Sequence, residues 1–274
     1  MTSTAVSLSI PTWLEEICVR LRSNDASLSN LNLNIRRLTP ASLAYLCDSM
    51  KQNKVLEILN LTNSLVPPLV LRPLVKGLAH HDSLKTLRLS YNKLVDISLL
   101  ARVLRTNTSL ENIFLDYNRI EDDAVVLAEA LKCNISLRMI NLGKNQVNDR
   151  GAMALADMLT VNETLESMSL TSNSISTEGL TALVQGLQQN VTLRFLEVER
   201  NPGLTPTIGR TVSHLCQANR YGRYLLRCPD LPHGIWPHVL ARSGGHLNQI
   251  FFFLQTKPDL CRRRREDEDD METD

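Results

Sequence analysis

Aromatic side chains are scarce in this chain: five Phe, five Tyr and two Trp among 274 residues. Three of them, Tyr91, Phe114 and Tyr117, fall close to Arg88, Asp116, Met139, Asn141 and Lys144 once the sequence is written in register with itself. Rings beside guanidinium and ammonium groups offer apolar contact area and polar anchoring together, which is the chemistry of protein recognition. A second group, Phe195, Glu197, Glu199 and Arg200, repeats the theme. Catalytic constellations are not found: the sequence holds no P-loop, GxGxxG, GxSxG or HExxH motif. Cys228, His233, His238 and His246 follow one another at intervals of 5, 5 and 8 residues, which matches no standard zinc site. No catalytic residue, cofactor or metal is expected, and the partner expected is a protein.

The elements that must position these side chains come from a repeat. The pattern L-x-x-L-x-L-x-x-N-x-L begins at Leu28, Leu56, Leu84, Leu110, Leu137, Leu165 and Leu193, at spacings of 28, 28, 26, 27, 28 and 28. Its x-L-x-L-x core alternates with period two, so each copy predicts a short strand. Leucines point one way, and positions 3, 5, 7 and 8 point the other, onto a sheet roughly 29 Å across. The first two copies are bland there (Asn30, Asn32, Asn34, Ile58, Asn60, Thr62), the middle copies carry the aromatic and charged residues, and the sixth is small (Ser167, Ser169, Thr171, Ser172). Twenty to thirty residues is the size of an ordinary protein interface.

The ninth position is Asn92, Asn118, Asn145, Asn173 and Asn201, with Arg36 and Ser64 in the first two copies. An amide there can both donate to and accept from backbone that stacking would bury. Each strand is followed by a helical pattern: Ala124, Leu127, Ala128 and Leu131 share a face, as do Leu180, Leu183, Val184 and Leu187. A second Asn column, Asn53, Asn107, Asn134, Asn162 and Asn190, follows each helix, with His81 in its place once. The expected reason is that Asn tolerates the left-handed conformation that ends helices. Four N-x-[ST] sequons coincide with this column, so it explains them better than glycosylation does. Cys18 and Cys47 fall in helix core positions and read as small buried hydrophobes.

These residues resemble leucine-rich repeat proteins of the ribonuclease-inhibitor-like class, over about residues 11–218. The resemblance implies an α/β fold: a right-handed solenoid, or horseshoe, with parallel strands on the concave face and α-helices on the convex face. It says little about function, because the class includes inhibitors, immune sensors and regulators of small GTPases. The division expected is a capping helix in 1–27, seven repeats in 28–218, a capping module in 219–261 and a disordered tail in 262–274. In the cap, Pro11-Thr12-Trp13 opens a helix carrying Trp13, Ile17 and Leu21, with Thr12 as its cap. The module at 219–261 is punctuated by proline and rich in aromatics, with Trp236, Val239, Leu240 and Phe251 to Leu254 expected to cover the last repeat. The tail joins Arg262–Arg265 to EDEDDMETD.

Lys+Arg 30 against Asp+Glu 29 argues against a dedicated nucleic-acid binder. No apolar run suggests a membrane span, and the start lacks the features of a signal peptide. A cytosolic protein, with the nucleus as a second compartment, and a monomer are expected. The function expected is a non-enzymatic interaction scaffold that binds a protein on the concave strands. The alternatives are a regulator of a small GTPase, resembling the Ran-type activators in repeat class and acidic tail, and an adaptor docking through the C-terminal module. For the latter, Val212 to Arg220 compares with the SOCS-type box of ubiquitin-ligase adaptors, but Arg220 stands where a small apolar residue is expected.

Overall fold

Each x-L-x core forms a strand of three residues: β1 (Asn30–Asn32), β2 (Ile58–Asn60), β3 (Thr86–Arg88), β4 (Asn112–Phe114), β5 (Met139–Asn141), β6 (Ser167–Ser169) and β7 (Phe195–Glu197). They join in one parallel sheet in sequence order. The structure, a computed structural model, describes residues 10–64, 71–79 and 81–220. The central residues, Leu31, Leu59, Leu87, Ile113, Ile140, Met168 and Leu196, pair in register and are all buried. Parallel strands need crossovers, and helices supply them. After the leading α1 (Thr12–Arg22) come α2 (Pro40–Met50), α3 (Leu71–Leu78), α4 (Ser98–Leu104), α5 (Ala124–Leu131), α6 (Asp149–Val161), α7 (Thr177–Gln189) and α8 (Pro206–Arg220). This is the α/β repeat solenoid read from the sequence. The two short repeats shorten their helices, to 7 residues in α4 and 8 in α5, against 13 in α6 and α7. The strands stay in register, and the convex side absorbs the deletions.

Leucines from strands and helices merge into one continuous core running from Leu14 to Cys216. Burying each such side chain contributes about 1.5–3 kcal/mol before chain entropy is subtracted. Cys18 and Cys47 lie in this core, and burial pushes the Cys47 thiol up to about 12 and raises that of Cys18. At the N-terminal end, Thr12 is the first residue of α1 and not its cap: Pro11 occupies the cap position, with no side-chain cap bond. Leu14, Cys18 and Leu21 are the buried side chains of that helix, with Trp13 and Ile17 packed half-buried against the core.

The ninth-position asparagines form a ladder between repeats. Asn118 donates through Nδ2 to the carbonyls of Leu89 (3.0 Å) and Leu115 (2.8 Å), and its Oδ1 accepts from the N–H groups of Asn92 and Leu94, both at 3.0 Å. Asn173 repeats all four bonds two repeats later, to Leu142, Leu170, Asn145 and Val147. The Asn145 rung lacks its acceptor half. At the fourth repeat the chain enters a 3-10 turn, Glu121–Asp123, and Glu121 N–H goes to the Asn145 carbonyl, leaving the buried Asn145 Oδ1 without a partner.

The second asparagine column works differently from the sequence expectation. Asn162 and Asn190 have φ of −80°, and none of Asn53, Asn107, Asn134, Asn162 and Asn190 is left-handed. Instead each Oδ1 accepts the N–H of the residue three on, as Asn162 does from Leu165 at 2.8 Å, while Nδ2 reaches back to the preceding repeat, as to Leu131 O at 2.8 Å. The left-handed one is Asn24, at the end of the leading helix region, with φ 53°. The column is buried, so a glycan on Asn107, Asn134, Asn162 or Asn190 is incompatible with the folded chain.

His81 substitutes imperfectly in that column. Its Nδ1 accepts from Leu84 N–H at 3.2 Å, but its buried Nε2 has no partner, and burial lowers the imidazole pKa. His81→Asn should therefore stabilise the fold by about 1 kcal/mol at neutral pH. The depressed pKa means that the unfolded chain takes up the proton first. The native His81 contribution is intact above about pH 6.5 and lost as the pH falls below it. Thermal melts at pH 7.5 and 5.5 should show the advantage of the variant widening in acid.

The second position of the repeat carries a further ladder on the exposed edge. Glu57, Lys85, Glu111, Arg138, Glu166 and Arg194 alternate in sign along the solenoid. Lys85 pairs with Glu57 at 2.8 Å, and Glu166 takes both Arg138 at 2.6 Å and Arg194 at 3.0 Å.

Candidate protein-binding surface

The register of β3, β4 and β5 sets Arg88 beside Phe114 and Phe114 beside Asn141. The Arg88 guanidinium lies over the Phe114 ring, 4.2 Å from its centroid. Asn141 is not a free amide: its Oδ1 accepts from Gly143 N–H at 2.9 Å. Asp116 is similarly engaged, accepting from Ser90 Oγ at 2.6 Å. Met139 is half-buried beside them.

The eighth position is set by a backbone feature that hydropathy did not reveal. Ile35, Asn63, Tyr91, Tyr117, Lys144, Ser172 and Arg200 all have φ between 50° and 63°. A left-handed conformation disfavours any residue with a Cβ, by roughly 1–2 kcal/mol. What offsets it is continuation of the ladder: Tyr91 N–H donates to Asp116 O at 3.0 Å, Tyr117 to Gly143 O at 2.9 Å and Lys144 to Thr171 O at 2.9 Å. Because neighbouring repeats share this conformation, like side chains project in parallel. Tyr91 and Tyr117 stack with centroids 3.8 Å apart and planes 15° apart, and Lys144 Nζ lies 4.3 Å from the Tyr117 centroid. The rings are 44% and 38% exposed, so they line the surface and do not fill the core.

Arg88, Tyr91, Phe114, Asp116, Tyr117, Asn141 and Lys144 thus come together on one patch. Phe195, Glu197, Glu199 and Arg200 do not join it. They lie at β7 and its turn, three strand spacings from β4, or about 14 Å, across the small side chains of β6. Phe195 is covered on one face by Arg220 of α8, at 3.8 Å, and Glu199 accepts from Thr171 Oγ1 at 3.3 Å. Lys93 and Arg119, exposed two residues beyond Tyr91 and Tyr117, adjoin the patch and were missed because only positions facing out of the strand were read. The tenth position of the repeat was the available signal.

Hydrogen bonding from Lys144, and then Tyr91, pulls the Tyr117 phenol below its ordinary value, while hydrogen bonding to Tyr117 pushes Tyr91 up to about 12. Alkaline difference spectroscopy should find one tyrosine ionising early, and Tyr117→Phe should remove that phase while lowering the late one.

Among the described residues no group of three His, Cys, Asp or Glu side chains could hold a metal, and no helix is long and apolar enough to cross a membrane. Cys228, His233, His238, His246, the expected cap residues Trp236, Val239, Leu240 and Phe251 to Leu254, and the tail lie outside the described residues. In the stretch compared with an adaptor box, Val212, Cys216 and Asn219 are buried on α8.

Residues 118–205 match the family model of the tropomodulin/leiomodin (TMOD/LMOD) leucine-rich domain. Tropomodulin-4 of Homo sapiens is 36% identical over 112 residues, 40% of this chain and 32% of that protein, and tropomodulin-4 of Mus musculus matches to the same extent. The chain therefore spans about a third of the length of these relatives. Among solved structures, leiomodin-1 actin-binding site 2 aligns with a TM-score of 0.43 and 18% identity, covering 79% of this chain and 95% of that one. Internalin C2 of Listeria monocytogenes aligns at 0.41 and 20%, covering 66% and 75%.

Proposed function

The chain is a leucine-rich repeat protein, and from that premise we propose that it is a non-enzymatic scaffold holding a protein partner against its concave strand face. The observation that carries this reading is the ring and cation cluster on β3–β5: Tyr91 and Tyr117 remain about two-fifths exposed although they are stacked and fixed by backbone hydrogen bonds. A rigid, part-exposed aromatic group flanked by Arg and Lys has the composition of an interface hot spot and is already ordered, so little entropy is lost on binding. Phe195, Glu197, Glu199 and Arg200 supply the far rim of the same face. We place the protein in the cytosol, with 28–218 as the binding body, 1–27 and 219–261 as its caps and 262–274 as a tail.

Actin is the partner to try first. The family whose leucine-rich domain matches residues 118–205 includes leiomodins, and a solved segment of leiomodin-1 is named as an actin-binding site. Proximity labelling with the wild-type chain and with Phe114→Ala/Tyr117→Ala tests the face itself. Proteins enriched by the first and lost by the second support the reading, and an unchanged set removes it. Co-sedimentation with actin filaments tests that partner separately.

A further inference from the structure

The patch has a sign as well as a shape. Arg88, Lys93, Arg119 and Lys144 are all exposed on or beside it, and none of the four lies within 4 Å of a carboxylate among the described residues. Their counterparts elsewhere are often paired: Arg20, Lys51, Lys54, Lys85, Lys132, Arg138, Arg150 and Arg194 each meet an Asp or Glu. The one acid inside the patch, Asp116, is turned to Ser90. Arg88 and Lys144 are also held in place, each over a ring. A guanidinium stacked by its face keeps the edge of its fork free for a carboxylate.

The rings decide which kind of anion fits. A nucleic acid would use open ring faces as stacking platforms. Here Tyr91 and Tyr117 lie against each other, Lys144 lies over Tyr117, and Arg88 lies over Phe114. Both faces of Tyr117 and one face each of Tyr91 and Phe114 are taken, so no two neighbouring rings offer open faces to successive bases; ring edges and the cations remain. Edges suit aliphatic side chains, and the cations suit carboxylates. Resting on the concave-face reading above, we infer that the partner presents an acidic peptide segment, with its carboxylates over Arg88 and Lys144 and an aliphatic side chain against the edges of Tyr91, Phe114 and Tyr117.

The test is fluorescence anisotropy of the full chain with a short labelled peptide rich in glutamate around a single leucine. A lysine-rich peptide of the same length and a single-stranded oligonucleotide serve as competing ligands. The acidic peptide should bind, weaken as salt is raised, and lose about ten-fold or more in affinity with Arg88→Glu/Lys144→Glu. Arg72→Glu/Arg102→Glu, the same change of charge on convex helices α3 and α4, should leave binding unchanged. No binding of the acidic peptide, equal loss in both double variants, or tighter binding of the oligonucleotide or the lysine-rich peptide would overturn the assignment. If Arg88→Glu/Lys144→Glu keeps the proximity partners while Phe114→Ala/Tyr117→Ala loses them, the acidic chemistry is wrong and the concave-face reading stands.

Discussion

Phe114→Ala combined with Tyr117→Ala should abolish measurable partner binding while lowering Tm by no more than a few degrees. The two rings sit at the centre of the cluster. Phe114 supports Arg88 from below, and Tyr117 is held between Tyr91 and Lys144. Truncating a hot-spot aromatic costs about 2 kcal/mol or more, so two together approach the 4 kcal/mol that separates a micromolar from a millimolar complex. The stability cost stays small because neither ring belongs to the buried core. Purified variants compared by calorimetric binding and by thermal melting separate the two effects. Binding within a few-fold of wild type would remove the cluster from the interface.

Asn118→Ala should be among the most damaging single changes to the fold outside the leucines. It removes the acceptor of two buried N–H groups, those of Asn92 and Leu94, and one of the two amide donors to each of the Leu89 and Leu115 carbonyls, which keep Asn92 Nδ2 and Asn145 Nδ2. Removing the acceptor of a buried N–H costs about 1–3 kcal/mol where water cannot reach it, so the total should be roughly 3 kcal/mol. That corresponds to a fall of about 10 °C in Tm. Asn145→Ala is the informative comparison. The Oδ1 of Asn145 has no partner, so its removal forfeits only the donor half of the rung, Leu115 O at 2.9 Å and Gly143 O at 3.2 Å. It should cost about half as much. Equal losses in the two variants would contradict the account of the ladder.

What the sequence made legible was whatever repeats by side-chain type. Leucine columns gave the strands, the helix faces and the register, down to the 26- and 27-residue intervals that the sheet reproduces between Leu87, Ile113 and Ile140. Backbone conformation was not legible from side-chain type. The eighth position holds Ile, Asn, Tyr, Lys, Ser and Arg, a set with no shared propensity, yet all seven are left-handed, and the six before Arg200 each donate their N–H to a carbonyl of the next repeat. The reverse error concerned the helix-ending asparagines, whose ordinary αL tolerance suggested a conformation that their cross-repeat hydrogen bonds override. For the patch, strand alternation placed Arg88, Phe114 and Tyr117 together. It could not give the stack of Tyr91 on Tyr117, which depends on two αL residues projecting in parallel, or the engagement of Asn141 and Asp116 by their own neighbours.

The charged edge gives the solenoid a parity. Glu57, Lys85, Glu111, Arg138, Glu166 and Arg194 alternate strictly from one repeat to the next, although each exposed pair alone contributes only about 0–1 kcal/mol. Excising the repeat that carries Glu166 would set Arg138 against Arg194, whereas excising two consecutive repeats would restore opposite neighbours. Odd and even deletions of otherwise equivalent units are therefore not equivalent. A chain shortened or lengthened by unequal recombination keeps its edge intact only in steps of two.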